Sequence, residues 1–197
     1  MATRIPVARC GGKSAQSSTI VTAASCPWIL GHSADGSSIV PDVAEDLHRC
    51  VRDLDATMRT YVDEYGIGPW QIYEFNLDTV TEMVKDGQQG DSACRIAVTM
   101  VGSVQWELIE PLDDRSIYAE FLATKGEGLH HVAVGTPNYG EALHTLQAQW
   151  RRVLRGGVYN SVTFAYMSTD EDLGVITEIF DWPRGLVQEP DAVYPGR

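Results

Sequence analysis

The chain has 197 residues, of which 44% are hydrophobic and 21% charged, a balance typical of a globular protein with a well-buried core. Its formal net charge of −12 disfavours nucleic acid or an anionic membrane surface as the main partner. No apolar run approaches the roughly 18–20 residues that span a bilayer. The four cysteines show no metal-binding spacing, which indicates free thiols in a reducing, cytoplasmic compartment.

The first 42 residues differ from the rest, and we expect an N-terminal arm or a targeting segment over 1–42. Residues 1–34 contain Arg4, Arg9 and Lys13 but no acidic residue, and Ser and Thr cluster between 14 and 25. This composition is typical of an organellar transit peptide, so a mitochondrial location is the alternative to a cytoplasmic one. A flexible arm, or an arm that packs on a neighbouring subunit, explains the same composition.

A regular pattern begins at Val43 and predicts a module over 43–112 with the order β-α-β-β-β. Asp53 or Asp55 can cap its helix. The polar stretch 78–91 is expected to be a loop or a short helix. The predicted elements are a strand at 46–51, a helix at 56–65, and strands at 70–75, 93–101 and 104–110.

The same order recurs over 129–183, after a linker with a short helix at 113–128; residues 184–197 are expected to be a C-terminal tail. The predicted elements are a strand at 129–134, a helix from 137 to about 154 ended by Gly156 and Gly157, a short strand at 158–159, and a hairpin of 162–168 and 174–180. Such repetition indicates duplication. The sequence therefore predicts an α+β fold in which two βαβββ modules pair into a curved, cleft-forming mixed sheet with helices outside.

Two residues on separate predicted strands suggest chemistry. Strand residues two apart share a face, so Glu107 and His131 can each point inward. A carboxylate and an imidazole held on rigid strands are the start of a divalent-metal site, although a solvated Glu107 and a core His131 explain the same pattern.

The residues around them carry a resemblance to a known family. WELIEPL, a polar turn and then IYAEFLATKGEGLHHVAV resemble the vicinal-oxygen-chelate (glyoxalase/bleomycin-resistance/dioxygenase) superfamily, and within it most closely the methylmalonyl-CoA epimerases. Those proteins have a strand of the type ELLEPL, a short helix, and Gly-Xaa-His-His before the next strand. The resemblance implies the duplicated, cleft-forming fold and a metal site shared by the two modules.

The resemblance also implies the ligands. Matched motifs assign Glu107, His131 and Glu178 to the metal. The fourth ligand is Asp46 when counted back from the first helix and His48 when the two modules are aligned at Val51 and Val134. We favour His48, because imidazole binds all first-row divalent ions. Two His and two Glu suit an octahedral ion with two open positions, such as Mn²⁺, Co²⁺, Ni²⁺ or Zn²⁺.

Such a site is expected to hold a carbonyl substrate and to need a base beside the carbon that loses its proton. In the resembled family that base is a Glu, and counting sixteen residues back from Glu107 places Asp91 there. Glu178 is a second candidate base, and Glu74 and Glu82 are alternatives to Asp91.

Aromatic residues that alternate along the strands are expected to be largely core, with some forming an apolar wall of the substrate site. Trp70, Tyr73 and Trp106 are the candidate substrate-binding residues.

We therefore expect a divalent-metal-dependent isomerase or epimerase that abstracts a proton next to a carbonyl through a metal-stabilised enolate. Its substrate is expected to be a small carbonyl compound or an acyl thioester, and its assembly a homodimer. A metal-dependent lyase or decarboxylase of a small oxo-compound, or a non-catalytic small-molecule binding protein of the same fold, are the alternatives.

Overall fold

A computed structural model describes residues 46–136 and 138–196 of the chain. The arm or targeting segment expected over 1–42, with Cys10 and Cys26, lies outside the described residues. Within the described residues, none of the helices has the length and apolar character needed to cross a membrane.

The described residues alternate between strands and four short helices. The strands are β1 (Asp46–Cys50), β2 (Trp70–Phe75), β3 (Val80–Lys85), β4 (Gln88–Gln89), β5 (Cys94–Val101), β6 (Val104–Pro111), β7 (Gly128–Gly135), β8 (Val153–Tyr159), β9 (Val162–Met167), β10 (Ile176–Asp181) and β11 (Ala192–Tyr194). The helices are α1 (Leu54–Tyr65), α2 (Ile117–Thr124), α3 (Tyr139–Ala148) and α4 (Asp170–Leu173).

All eleven described strands form one open mixed sheet, in the order β11-β2-β5-β6-β1-β7-β10-β9-β8-β3-β4. At its centre the first strands of the two repeats, β1 and β7, pair antiparallel. Each also pairs in parallel with the last strand of its own repeat, β1 with β6 and β7 with β10. The predicted α+β fold of two βαβββ modules in a mixed sheet is confirmed.

Helices α1 and α3 cover the outer face of the sheet. Asp53 caps α1 by accepting a hydrogen bond from the backbone nitrogen of Ala56 at 2.8 Å, as the sequence predicts. Met58 of α1 packs with Trp70 on β2, and Leu146 of α3 packs with Ile179 on β10. The opposite, inner face is therefore left for the cleft.

Helix α2 packs on the inner face instead. Its Tyr118 and Leu122 belong to the same apolar cluster as Tyr73, Ile96 and Phe164 from the strands. Ser116 caps this helix by accepting from the backbone nitrogen of Ala119 at 3.1 Å. This packing places Tyr118 beneath the floor of the cleft.

The loop or helix expected over 78–91 is instead a hairpin of β3 and β4, so that prediction is wrong. Its apolar residues Val80 and Met83 are buried, but they do not alternate, because the register shifts between Thr81 and Val84 and Glu82 has a φ of 53°. The partner of β3 is β8, far away in the sequence. Local periodicity does not reveal such a strand, because long-range pairing stabilises it.

The helix expected to reach Leu154 ends at Ala148, and Gly156 and Gly157 lie inside β8 rather than at the end of a helix. A Cβ atom at Gly157 would lie 2.8 Å from Cγ1 of Val80. The glycine is needed because β3 packs closely on β8, which is a tertiary requirement rather than a helix-termination signal.

The predicted C-terminal tail contributes the last strand. β11 pairs antiparallel with β2, with Tyr194 opposite Trp70. Residues Ala192–Tyr194 therefore extend the edge of the sheet beside the first module.

Candidate metal centre

A cleft of about 360 Å³ opens on the inner face of the sheet and is lined by residues of both repeats. Its polar side chains include Asp46, His48, Glu107 and Glu178. His48, Glu107 and Glu178 are each less than a tenth exposed. Ionisable groups are therefore concentrated at the floor of a cleft whose walls are largely apolar.

The sheet register brings the predicted ligands together. His48 on β1 lies directly opposite Glu107 on β6 and, on its other side, opposite His131 on β7. On β10, Ile176 is the partner of His131, and Glu178 follows two residues later on the same face. Four different strands thus present one group each at the centre of the sheet.

A β-bulge turns both histidines of the His pair inward. His48 pairs with His131, but Arg49 pairs with Leu129, so His130 has no partner in this register. Consecutive strand residues normally face opposite sides, and the extra residue of a bulge breaks that alternation. His130 is consequently buried beside His131 instead of on the outer face.

The four side chains form two close pairs. Nδ1 of His48 lies 2.9 Å from Oε1 of Glu107, and Nε2 of His131 lies 3.0 Å from Oε2 of Glu178. The rings of His48 and His131 stack with 3.9 Å between their centroids. One ligand atom from each of His48, His131 and Glu178 lies within 4.8 Å of the other two.

His130 lies directly behind His131. Nδ1 of His130 lies 2.9 Å from Nδ1 of His131, so one of the two rings donates a hydrogen bond to the other. Metal binding through Nε2 requires His131 to be the donor at Nδ1. The Nε2 lone pair of His131 then faces Glu178, as a metal ligand requires.

Burial and neighbouring charges shift the pKa values of this centre. Burial, and then the nearby His48 and His130, hold the pKa of His131 well below its usual value, so the ring is neutral. Burial disfavours the charged form of His48, but the carboxylates around it, foremost Glu107, outweigh this and raise its pKa to about 9. Burial raises the pKa of Glu178 to about 8, although His48 opposes the shift. In the metal-free centre both shifts favour the protonated forms of His48 and Glu178.

The arrangement fits a divalent ion. Metal–ligand bonds of about 2.1 Å place opposite ligand atoms of an ion about 4.2 Å apart. The ligand atoms of His48, His131 and Glu178 lie within 4.8 Å of one another, which is close to that distance. Neither ring nitrogen of His48 has a hydrogen bond of acceptable geometry within the described part of the chain, despite complete burial. A divalent cation that replaces the two protons leaves the charge of the buried centre unchanged and satisfies His48.

Metal uptake at pH 7 is expected to release about two protons per ion, because bound His48 and Glu178 must be deprotonated. Calorimetric titration with Mn²⁺ in buffers of different ionisation enthalpy measures this number. Glu178→Gln is the internal control and should release about one proton. Metal binding without proton release would show that His48 and Glu178 do not hold these protons at pH 7 in the metal-free protein.

Both candidates for the first-strand ligand line the cleft. Oδ2 of Asp46 lies 3.9 Å from Nε2 of His48, since the two residues share a face of β1. Only His48 is the direct neighbour of both Glu107 and His131 in the sheet. The geometry therefore favours His48 as the ligand, with Asp46 beside it at the mouth.

Of the three aromatic candidates for substrate binding, only Tyr73 lines the cleft. Trp70 and Trp106 belong to the outer-face cluster under α1, where both rings contact Tyr61 edge-on. The prediction for these two is wrong, because Trp70 and Tyr73 are an odd number of residues apart on one strand and Trp106 alternates with Glu107.

The structure does not bring Asp91 to the cleft. Its carboxylate is exposed and accepts a hydrogen bond from Nη1 of Arg115 at 2.8 Å, in a separate depression. The β3–β4 hairpin crosses to β8, and Asp91 follows that hairpin. Glu74 and Glu82 are exposed and do not line the cleft either. The role of general base therefore does not fall to any of these three residues.

Comparison with known proteins identifies the family. The sequence model of the glyoxalase/bleomycin resistance protein/dioxygenase superfamily matches residues 47–166, more than half of the chain. The chain belongs to this superfamily. The match begins at β1 and includes the strands that carry His48, Glu107 and His131, and Glu178 follows it on β10. The resemblance seen in the sequence is confirmed.

Individual relatives within the superfamily are distant. An uncharacterized protein, YqjC, of Bacillus subtilis (strain 168) is 37% identical over 94 residues, which cover 46% of this chain and 66%, just under two thirds, of that protein. The crystal structure of methylmalonyl-CoA epimerase from Mycobacterium tuberculosis superposes with a TM-score of 0.53 at 20% identity, covering 71% of this chain and 87% of that one.

A methylmalonyl-CoA epimerase in complex with methylmalonyl-CoA and NH4⁺ superposes with a TM-score of 0.51 at 24% identity, covering 75% of this chain and 97% of that one. At such identities the two epimerase structures establish a common fold.

Three further buried groups at the centre did not emerge from the sequence. They are His130, Tyr166, whose hydroxyl forms a hydrogen bond with Glu178, and Arg155. The second histidine of a pair is a weak signal by itself, and an arginine beside two glycines resembles a solvated residue. The bulge in β7 places His130 inside, and Arg155 lies in the part of β8 that precedes the predicted strand at 158–159. Tyr166 lies on the predicted strand β9.

Proposed function

We propose that this protein is a divalent-metal-dependent isomerase or epimerase that removes a proton from the carbon next to a carbonyl group. The observation that supports it most strongly is the convergence of two imidazoles and two carboxyl groups from four strands. His48, Glu107 and Glu178 line one cleft, and the buried His131 contacts His48 and Glu178. Proton abstraction next to a carbonyl needs an electrophile at the oxygen and a base at the carbon.

In this proposal His48, Glu107, His131 and Glu178 hold the ion. A bound divalent ion supplies Lewis acidity toward the carbonyl oxygen of the substrate. His130 keeps Nε2 of His131 available, and the β-sheet fixes the positions of all four groups before any substrate arrives. Mn²⁺, Co²⁺, Ni²⁺ and Zn²⁺ are the ions to test, because each accepts both nitrogen and oxygen ligands.

Glu178 is the proposed proton acceptor. In the metal-free centre burial raises its pKa to about 8, and in this proposal Glu178 serves as the base when it leaves the ion during turnover. It lies next to Tyr166, whose hydrogen bond stabilises the charged carboxylate. Transfer of the proton to Glu178, followed by protonation of the opposite face by water, inverts the carbon, and Glu178 then releases its proton to solvent.

The walls of the cleft favour an acyl group. Phe75, Ile96, Val98 and Phe164 line it, together with Tyr73, whose hydroxyl donates a hydrogen bond to the backbone oxygen of Gln188 at 3.5 Å. Such walls exclude water from a developing negative charge, which strengthens the electrostatic interactions inside. Because the fold is shared with epimerases, one of them in complex with methylmalonyl-CoA, we propose an acyl thioester or a related small carbonyl compound as the substrate class.

Exchange of the substrate proton with solvent tests the proposal. Metal-loaded and metal-stripped protein are incubated with methylmalonyl-CoA and with simpler acyl thioesters in deuterated water, and deuterium incorporation is followed by mass spectrometry. Incorporation that depends on the metal is expected for at least one of them. Tight binding without exchange would favour the binding-protein alternative. Loss of a fragment such as carbon dioxide would favour the lyase or decarboxylase alternative.

A further inference from the structure

A second, smaller cavity of about 60 Å³ lies beneath the candidate metal centre. It shares His48, Glu107 and Glu178 with the cleft, and its inner walls include Tyr118, Arg155 and Tyr166. We refer to it as the inner chamber. A molecule that reaches both cavities passes the metal ligands on the way.

Arg155 is a buried cation in the wall of the inner chamber. Its side chain comes from β8 and the residue is 3% exposed. Nη1 donates a hydrogen bond to Oγ of Ser92 at 2.9 Å, and the guanidinium carbon lies 5.0 Å from the centre of the Tyr118 ring. Nε has no hydrogen-bond partner among the described residues.

No carboxylate of the described residues lies within ion-pair distance of Arg155. The other groups that interact with its charge are Tyr118, Cys94 and Tyr166, together with Glu178. Burial raises the pKa values of the two phenols and of Cys94, so these groups stay neutral. A guanidinium cannot lose its proton to relieve its own burial. Burying a cation without an ion-pair partner costs folding free energy, so the burial of Arg155 calls for an explanation.

We propose that the inner chamber is an anion subsite in which Arg155 binds a carboxylate of the substrate. The chamber has room for about two water molecules, and therefore for a group of a few atoms such as a carboxylate. The free Nε–H of Arg155 supplies a charge-assisted donor, and Ser92 and the Tyr118 ring hold the guanidinium in place.

This inference deepens the proposed function, because it adds a second anchoring point beside the metal ligands. A substrate with a carboxylate in the chamber and its carbonyl among His48, Glu107 and Glu178 would be held at two points. Rotation of the substrate about the reacting carbon is then restricted. The proton on that carbon is therefore held in a fixed position relative to the base. Neutral acyl thioesters are expected to be poorer substrates than carboxylated ones.

Binding of malonate to metal-stripped protein tests the subsite independently of any catalysis. Calorimetry at pH 7 compares the wild type with Arg155→Met, which keeps the length of the side chain and removes the charge. The affinity is expected to fall at least about tenfold, as the loss of a hydrogen bond to a charged group implies. Arg152→Met is the matched control, because Arg152 is 72% exposed and lies outside the chamber, and should bind within about twofold of wild type.

Arg155→Lys separates a folding defect from a binding defect. It keeps the charge but loses the planar fork, so its affinity is expected to lie between those of the wild type and Arg155→Met. Equal malonate affinity in the wild type and Arg155→Met would overturn the proposal. So would malonate binding that appears only after a divalent metal is added, since the metal would then hold the carboxylate. Neither result bears on solvent exchange, which tests the proposed function separately.

Discussion

Glu178→Gln is expected to slow the exchange of the substrate proton with solvent by about a thousandfold, within the range that a general base contributes. The amide has nearly the same shape and accepts a hydrogen bond through its oxygen, so the sheet and the cleft should be preserved. It cannot accept a proton at neutral pH. The rate is measured in deuterated water at a metal concentration that saturates the variant.

Asp91→Asn is the matched control for this experiment. It makes the same carboxyl-to-amide change at an exposed residue that pairs with Arg115 outside the cleft, and the exchange rate should stay within about twofold of wild type. A large loss in Asp91→Asn would restore Asp91 as the base. Exchange at the wild-type rate in Glu178→Gln with metal bound would remove Glu178 from that role and leave Asp46 or Glu107 as candidates.

His131→Ala is expected to weaken divalent-metal binding by more than about a hundredfold, because loss of an orienting residue behind a ligand already costs 10–100-fold. Elemental analysis of the purified wild type and variant, followed by titration with Mn²⁺, Co²⁺, Ni²⁺ and Zn²⁺, measures the effect. The wild type should hold close to one ion per chain, and the variant should lose it.

His131 is fully buried and stacks on His48, so its removal also creates a cavity. His131→Gln fills more of that space and should fold while still binding metal weakly. His144→Ala, on the exposed side of α3, removes an imidazole without touching the cleft and should retain full metal content. Unchanged metal content in both His131 variants would show that the ion binds elsewhere.

The convergence of the candidate ligands was largely predictable because a strand places residues two apart on one face. Glu107 and His131 could be assigned to the inner face from alternation, and the WELIEPL and Gly-Xaa-His-His motifs predicted the family. The choice between Asp46 and His48 was not predictable, since both have the same parity. Pairing of β1 with both β6 and β7 favours His48, and pairing is a property of the assembled sheet.

Errors arose where distant residues decide the local structure. Asp91 was placed near Glu107 by counting along the chain, but the β3–β4 hairpin pairs with β8 of the other repeat and removes it from the cleft. Gly156 and Gly157 resembled a helix end, whereas close packing of Val80 explains the second of them. The pairing of β3 with β8 and the packing of Val80 on Gly157 both involve distant residues, so neither produces a recognisable hydrophobic pattern in the local sequence.

The sequence by itself determined the duplicated βαβββ order, the inward side of Glu107 and His131, and the residue types of the candidate metal site. Short-range sterics and the twofold alternation of strands are encoded locally, so these features can be read from neighbouring residues. Only the tertiary structure decided that His130 faces inward beside His131, that burial raises the pKa of Glu178, and that Arg155 is buried with no described carboxylate within ion-pair distance. Those properties depend on a bulge, on strand pairing across the two repeats and on desolvation, which exist only after the sheet has assembled.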